Sequence, residues 1–345
     1  MKNTKGILFI SLVIFLLALN IGLNIHHVNK KTQNHLSSVH SANTDLKIVA
    51  TITIIGNIVQ NVVGHNIPVI VPGSADPHSY EPTSGEISAL ENADIIFRMG
   101  VEDLEPWWRS EWNDALVVNL VNPKMLEIDP LLGFDNPHVW MDPNNMINFT
   151  KEVNNTLWKE DPSLSNKWIY SNNTSNYLAD LENLLVKIQS NKPAFNGMKV
   201  VVNHPAYFYL FRKNLLNLTR LATIGKGEDQ EPSAKEIADV IKIMREEGCH
   251  LVVTDPQHRT ANVYEIARNT HSKIAMLTPL LNVEVYWNGK HVFISNYTQM
   301  IEYDIWALKN PSEPPSLTDL WYIIGIFGGI IITLLILFLY IRRKK

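Results

Sequence analysis

Three histidines stand in one repeated local setting. Ala75-Asp76-Pro77-His78, Asn136-Pro137-His138 and Asn203-His204-Pro205 each follow a run with strand character, and each places the imidazole beside a proline. Imidazole is a good donor for zinc, copper, iron and nickel. Proline fixes φ and lowers the entropy a loop must lose to hold a ligand geometry. Any one of these histidines alone would be read as a satisfied structural residue. Three in matching context point to a metal. The single cysteine, Cys249, excludes an intrachain disulfide and thiolate clusters, so a metal here is held by histidine, carboxylate or water.

Loops of this kind need a rigid sheet behind them, and in open α/β sheets ligands collect beyond the carboxyl ends of the strands. Residues 46–52, 67–71, 94–99 and 116–119 read as strands, with helices over 54–64 and 87–92 between them. Across 163–189, Trp168, Tyr177, Leu178, Leu181, Leu184, Leu185 and Ile188 recur at three-to-four spacing with no Pro or Gly, which predicts a long amphipathic helix. The α/β rhythm then restarts: strand 199–203, helix 207–214, strand 221–225, helix 234–247, strand 251–254, helix 264–269, strand 274–277. The pattern is α/β with two lobes, 46–162 and 192–308, hinged on a helix at 163–191.

The termini carry the other strong signals. Residues 321–341 are 21 uncharged residues, which at about 1.5 Å per residue match a bilayer core of roughly 30 Å. Trp321, Tyr322 and Tyr340 sit where an aromatic belt would, and Arg342, Arg343, Lys344 and Lys345 mark the cytoplasmic end. A transmembrane helix over 319–341 is expected, with a cytoplasmic basic tail at 342–345. Lys2 and Lys5 precede an apolar run at 7–25, so residues 1–26 read as a signal peptide or signal anchor. Residues 27–45 form a polar tether; with its neighbour His26, it brings His27, His35 and His40 into a loose metal-collecting tract or a plain solvated linker. Residues 309–318 form a Pro-rich spacer. The sequons at Asn148, Asn154, Asn172, Asn173, Asn217 and Asn296 suit a glycosylated extracellular domain. The formal net charge of −4, without a basic stripe, leaves no electrostatic footprint for nucleic acid.

Four strings are specific: DPHSYEPTSGEISALENADIIFRMG (76–100), NPHVWMDP (136–143), VVNHPAYFYLF (201–211) and EPSAKEIADVIKIM (231–244). They resemble the zinc/manganese solute-binding proteins of ABC transporters, over about residues 46–305. The resemblance implies two lobes, each with a four-stranded mostly parallel sheet, joined by one long rigid helix, and one metal ion in the cleft between them. It implies His78, His138 and His204 as ligands. It also implies a membrane permease and its cytoplasmic ATPase as partners; the terminal apolar runs make the expected receptor membrane-anchored, and a monomer is expected. Manganese-binding members carry a carboxylate at the third position and zinc-binding members a histidine, so His204 favours Zn2+, with Mn2+ the alternative.

At the fourth position the chain departs from the family: Thr278 replaces the usual Asp. The site is then completed by water, by another carboxylate, or not at all. Asp255, in Thr254-Asp255-Pro256-Gln257-His258, is the best substitute, and His258 is a second candidate whose plain reading is a solvated loop residue. Asp76, Glu81 and Asp142 lie close enough to orient the imidazoles, with Asp142 better read as a helix cap. The stretch 100–136, where zinc-binding members often carry histidines, holds none here. It holds Glu102, Asp103, Glu105, Trp107, Trp108 and Trp112 instead, and aromatics so spaced shield or pack.

The chain has no P-loop, so a transport receptor would draw energy from its partners. Two other readings stand beside transport: a metal-dependent surface adhesin or sensor, and a three-His zinc hydrolase, against which no general base stands out. The resemblance implies no enzymatic activity.

Overall fold

The computed structural model describes residues 40–112, 114–225, 232–258 and 261–316. The apolar runs at 7–25 and 321–341, the basic tail and His26, His27 and His35 lie outside the described residues; His40 is exposed. Among the described residues no helix is long and apolar enough to cross a membrane.

The first sheet contains β1 (Ile48–Ile52), β2 (Val69–Val71), β3 (Ile95–Arg98) and β4 (Leu116–Asn119), in the order β2-β1-β3-β4, with every pairing parallel. Helix α1 (Thr53–Val63) leaves β1 directly. Its Ile54, Ile55, Ile58, Val59, Val62 and Val63 recur at helical spacing and are all buried, each contributing roughly 1.5–3 kcal/mol. Helix α2 (Ser84–Glu91) begins three residues earlier than its apolar pattern predicts. Thr83 and Glu86 form a reciprocal capping box there, and that sets the start.

A short hairpin, β5 (Glu127–Ile128) and β6 (Asp135–Asn136), precedes α3 (Pro143–Glu160). The expected long helix is α4 (Leu164–Asn191), capped by Ser163 and about 42 Å long for its 28 residues. Its Tyr170, Tyr177, Leu181, Leu184 and Ile188 are buried. Asn173 is buried too and donates to the Val62 carbonyl at 3.0 Å, so its sequon is closed to glycosylation in the folded chain.

The second sheet contains β7 (Lys199–Val202), β8 (Thr219–Thr223), β9 (Leu251–Thr254) and β10 (Lys273–Met276), in the order β10-β9-β7-β8, again all parallel. Numbered within its lobe, it has the strand order of the first sheet, so the second lobe repeats the first. Helix α5 (Ala234–Glu247) has the bounds its sequence predicts, set by the Ser233–Glu236 capping box and by Gly248 in the left-handed conformation. Helix α6 (Ala261–Thr270) joins β9 to β10.

The helix expected at 207–214 is absent. After a short turn at Pro205–Tyr207 the chain folds back, with Leu216 N donating to Leu210 O and Leu218 N to Phe211 O. Tyr207, Tyr209, Leu210 and Phe211 are all buried, so this run is enclosed on every side rather than along one helical stripe. The hairpin β11 (Val283–Trp287) and β12 (Lys290–Ile294), and helix α7 (Tyr297–Lys309), complete the fold. Asn288-Gly289, both at positive φ, was the available hairpin signal.

One apolar cluster runs from the first sheet through α3 and α4 to Val200, Val202 and Val253 of the second. A smaller cluster, including Val201, Val252, Met244 and Ile266, covers the other face of the second sheet. The lobes therefore share a core, and packing does not break at the ends of α4.

At Gly73 the lobes approach closely. An added Cβ would lie 1.5 Å from the Leu281 carbonyl oxygen, a backbone atom, and Gly73 O accepts from Gln257 Nε2 at 2.7 Å. Gly73→Ala is expected to cost at least about 1–3 kcal/mol, the usual range for overpacking, and a thermal melt of the metal-free protein would measure it. An unchanged midpoint would mean that the lobes are not held this closely in solution.

Candidate metal centre

Each of the three histidines reaches the cleft from a different segment. His78 follows β2, His138 follows β6 and leads into α3, and His204 follows β7. In the second lobe β7 and β9 are the adjacent strands at which the strand order reverses, so His204 and Asp255 emerge at the topological switch point. The three residues are 8%, 2% and 5% exposed as a whole in chain order, and each offers a nitrogen lying within 4.8 Å of the other two.

Two of the tautomers follow from the hydrogen bonds. His78 Nδ1 lies 2.7 Å from the Asp103 carbonyl oxygen, which can only accept, so Nδ1 carries the proton. Asn136 Nδ2 donates to Asp129 Oδ2 and to Pro205 O, which fixes Oδ1 as the acceptor facing His138 Nδ1 at 3.0 Å. His138 Nδ1 is therefore protonated as well. The two remaining nitrogens, His78 Nε2 and His138 Nε2, face each other at 3.3 Å. Tetrahedral zinc with Zn–N bonds of about 2.0–2.1 Å separates its ligand nitrogens by about 3.3–3.4 Å. Burial and the neighbouring imidazoles hold His138 well below the ordinary histidine range, so its lone pair stays available on mild acidification.

The groups behind the histidines are only partly those the sequence suggested. Arg220 holds Asp129 (2.6 Å), Asp129 holds Asn136, and Asn136 holds both His138 and the second lobe at Pro205. Asn136 stands two residues before His138, a spacing that can be read from the sequence; Asp103 has no local signal. Asp142 caps α3 by accepting from Asn144 N and also pairs with Arg212. Glu81 is exposed. Asp76 accepts from the His78 backbone amide at 3.0 Å.

Asp255 is fully buried but stands apart from the histidine trio. It forms a second, overlapping group with His204 and His258. Its Oδ1 accepts from Gln257 N, His258 N and His258 Nδ1, and its Oδ2 lies 3.8 Å from His204 Nδ1. His258 is not a solvated loop residue. Its ring stacks on His204 at 4.1 Å, and its Nε2 is 3.4 Å from Asp76 Oδ2 in the other lobe. Thr278 is fully buried with its hydroxyl donating to Leu280 O, while its amide donates to Asp304. Burial pushes the Asp304 carboxyl well above its usual range. Trp107, Trp108 and Trp112 pack on one another, with Arg98 stacked on Trp108.

The His258 pairing gives the metal-free protein a pH dependence. Burial opposes charge on His258, but the Asp255 and Asp76 carboxylates raise its pKa from 6.5 to about 10. A histidine raised on folding contributes stability that is complete below its unfolded value and is lost as pH rises through its folded one. The melting temperature of metal-free protein is expected to fall between pH 6.5 and 10, and His258→Asn should flatten that fall. An identical slope in the variant would rule out this pair as its source.

Residues 48–310 match the family described as ZnuA, zinc-uptake complex component A, periplasmic. The chain is 27% identical over 214 residues to the manganese-binding lipoprotein MntA of Halalkalibacterium halodurans, covering 58% of this chain and 68% of that protein. It is 32% identical over 185 residues to the iron ABC transporter substrate-binding lipoprotein MtsA of Streptococcus pyogenes serotype M1, covering 49% of this chain and 58% of that protein. A crystal structure of ZnuA superposes with a TM-score of 0.64 at 23% identity, covering 77% of this chain and 97% of that one, which is a likeness of fold. The chain belongs to the ZnuA family of zinc-uptake components.

Proposed function

We propose that this chain is the extracytoplasmic receptor of an ABC-type transporter, and that it captures a divalent transition-metal ion, zinc in preference to manganese, with His78, His138 and His204. The ion is then delivered to a membrane permease driven by a separate ATPase. The observation that carries this reading is the 3.3 Å approach of His78 Nε2 to His138 Nε2 in a buried cleft, with the proton of each ring held on the opposite nitrogen. Two such lone pairs converge favourably only on a shared proton or a metal ion, and burial beside other imidazoles disfavours the proton. Family membership supports a binding protein rather than an enzyme, and MntA and MtsA are named for manganese and iron.

Zinc is preferred because three imidazoles form a softer donor set than the carboxylate-rich sets that suit manganese. Asp255 enters as the carboxylate behind His204, supporting the ring as outer carboxylates commonly do for metal-bound histidines. We read the apolar runs at 7–25 and 321–341 as the chain's membrane attachment.

Titrating the full chain in detergent with zinc and with manganese tests the metal. Zinc at a hundred times its Kd should add about 2.7 kcal/mol of stability, with manganese adding less at equal concentration. His204→Glu should narrow or invert the preference. No thermal shift with zinc would overturn the receptor reading, and equal shifts for both metals would overturn the zinc assignment.

A further inference from the structure

The second group of metal-type side chains, His204, Asp255 and His258, has no part in the trio-based reading beyond His204 and its supporting carboxylate. Each of the three offers a donor atom, and these atoms lie within 4.8 Å of one another. In the metal-free protein His258 is the cationic partner of Asp255 and Asp76, and an ion bound there would displace its Nε2 proton; three observations favour that exchange. Asp255 is fully buried, its Oδ1 takes three hydrogen bonds, and its Oδ2 makes none among the described residues. A buried carboxylate oxygen without a donor is costly unless something positive meets it. Across the cleft, Asp76 Oδ2 comes within 3.4 Å of His258 Nε2, about the spacing of two ligands on one ion. His258 Nδ1, 2.9 Å from Asp255 Oδ1, has the carboxylate–imidazole contact that commonly fixes a ligating histidine.

We propose that the cleft holds a second divalent-cation subsite, formed by Asp255 and His258 with Asp76 from the opposite lobe, and adjoining the trio at His204. Its donors are one imidazole and two carboxylates, a mixed nitrogen and oxygen set that suits zinc and tolerates manganese better than the trio does, with His204 the neighbouring ring that belongs to the first ion. The two carboxylates balance the added charge. The subsite opens at one end: the side chains of His258 and Asp76 are each 17% exposed, against 3% for His78 and 6% for His204, while Asp255 at its base is fully buried. Its His258–Asp76 end is therefore where an arriving ion would first exchange water for protein donors. The proposal rests on the trio reading for the first ion only.

Metal content and calorimetry on the full chain, titrated with zinc alone, test it. His26, His27, His35 and His40 are replaced by Ser throughout, so that the tether contributes no equivalents. Two equivalents are expected for this background, one for His258→Asn, and one for His138→Ala. Asp76→Asn should weaken only the second equivalent, by at least tenfold, and it serves as the check if His258→Asn folds poorly in a metal-free melt. One equivalent, lost in His138→Ala and unchanged in His258→Asn and Asp76→Asn, would overturn the second subsite and leave the trio standing. One equivalent, retained in His138→Ala but lost in His258→Asn, would overturn the trio and leave the Asp255–His258 subsite. No binding would overturn both.

Discussion

His138→Ala is expected to abolish zinc binding at the three-histidine site, and Asn136→Ala to weaken it there by about 10–100-fold, the usual effect of removing a group that orients a ligand. The two variants separate ligation from positioning. His138 supplies the nitrogen that faces His78 Nε2 at 3.3 Å, and it is 2% exposed, so no other side chain can swing in from solvent to replace it. Asn136 supplies no donor to the ion. Its Oδ1 accepts from both the backbone amide and Nδ1 of His138, which selects the tautomer whose lone pair lies on Nε2. Without that acceptor the ring can rotate or shift its proton, and part of the binding energy goes into restoring the orientation. The same amide donates to Pro205 O, next to His204, so Asn136→Ala also loosens the second lobe. Chelator competition gives both affinities, and metal-free melts exclude unfolding. Unchanged affinity in His138→Ala would remove the trio from consideration. Unchanged affinity in Asn136→Ala would show that packing against Trp140, whose ring lies 5.1 Å away, is enough to hold the imidazole.

What could be read from the sequence follows from how local the governing physics is. The parallel strands are continuous apolar runs, and helix α5 is bracketed by a capping box and a glycine a few residues from the pattern they bound. Both are visible within a short window. The segment after His204 is not, because Tyr207, Tyr209, Leu210 and Phe211 are enclosed by elements distant in sequence, and an apolar run buried on all sides has no period to read. The site divides in the same way. Proline-flanked histidines at strand ends can be found one loop at a time. Asp103 reaches His78 through a backbone carbonyl that any residue possesses, and His258 gains its role from Asp76, which is 182 positions away in sequence and lies in the other lobe. Asp255 was legible as a carboxylate at the right strand end; which side of His204 it occupies depends on the strand order of the sheet.

Glu105→Ala is expected to give the largest loss of stability, about 3–5 kcal/mol, and to weaken metal binding as well. Glu105 is 1% exposed, and its two oxygens organise the whole turn after β3: Oε2 accepts from Arg98 Nε (2.7 Å) and Gly100 N (3.0 Å), while Oε1 accepts from Met99 N (3.0 Å) and the Thr51 hydroxyl. Truncation leaves the Arg98 guanidinium, only 10% exposed, without a counter-charge and strands two backbone amides. Breaking a buried pair from one side costs about 3–5 kcal/mol because the surviving charge has neither partner nor water. The effect on metal follows from chain connectivity. Asp103, whose carbonyl fixes the His78 tautomer, lies two residues before Glu105, so a loosened turn releases the ring that faces His138. A fall in zinc affinity of about 10–100-fold is therefore expected at temperatures where the variant is still folded. Glu105→Gln keeps an acceptor for one side of the turn but loses the charge, and should fall between the two in both measurements. If Glu105→Ala melted within about 1 kcal/mol of the parent, solvent would have to reach Arg98. If it melted low but bound zinc as the parent does, His78 would be held by something other than the turn that Glu105 builds.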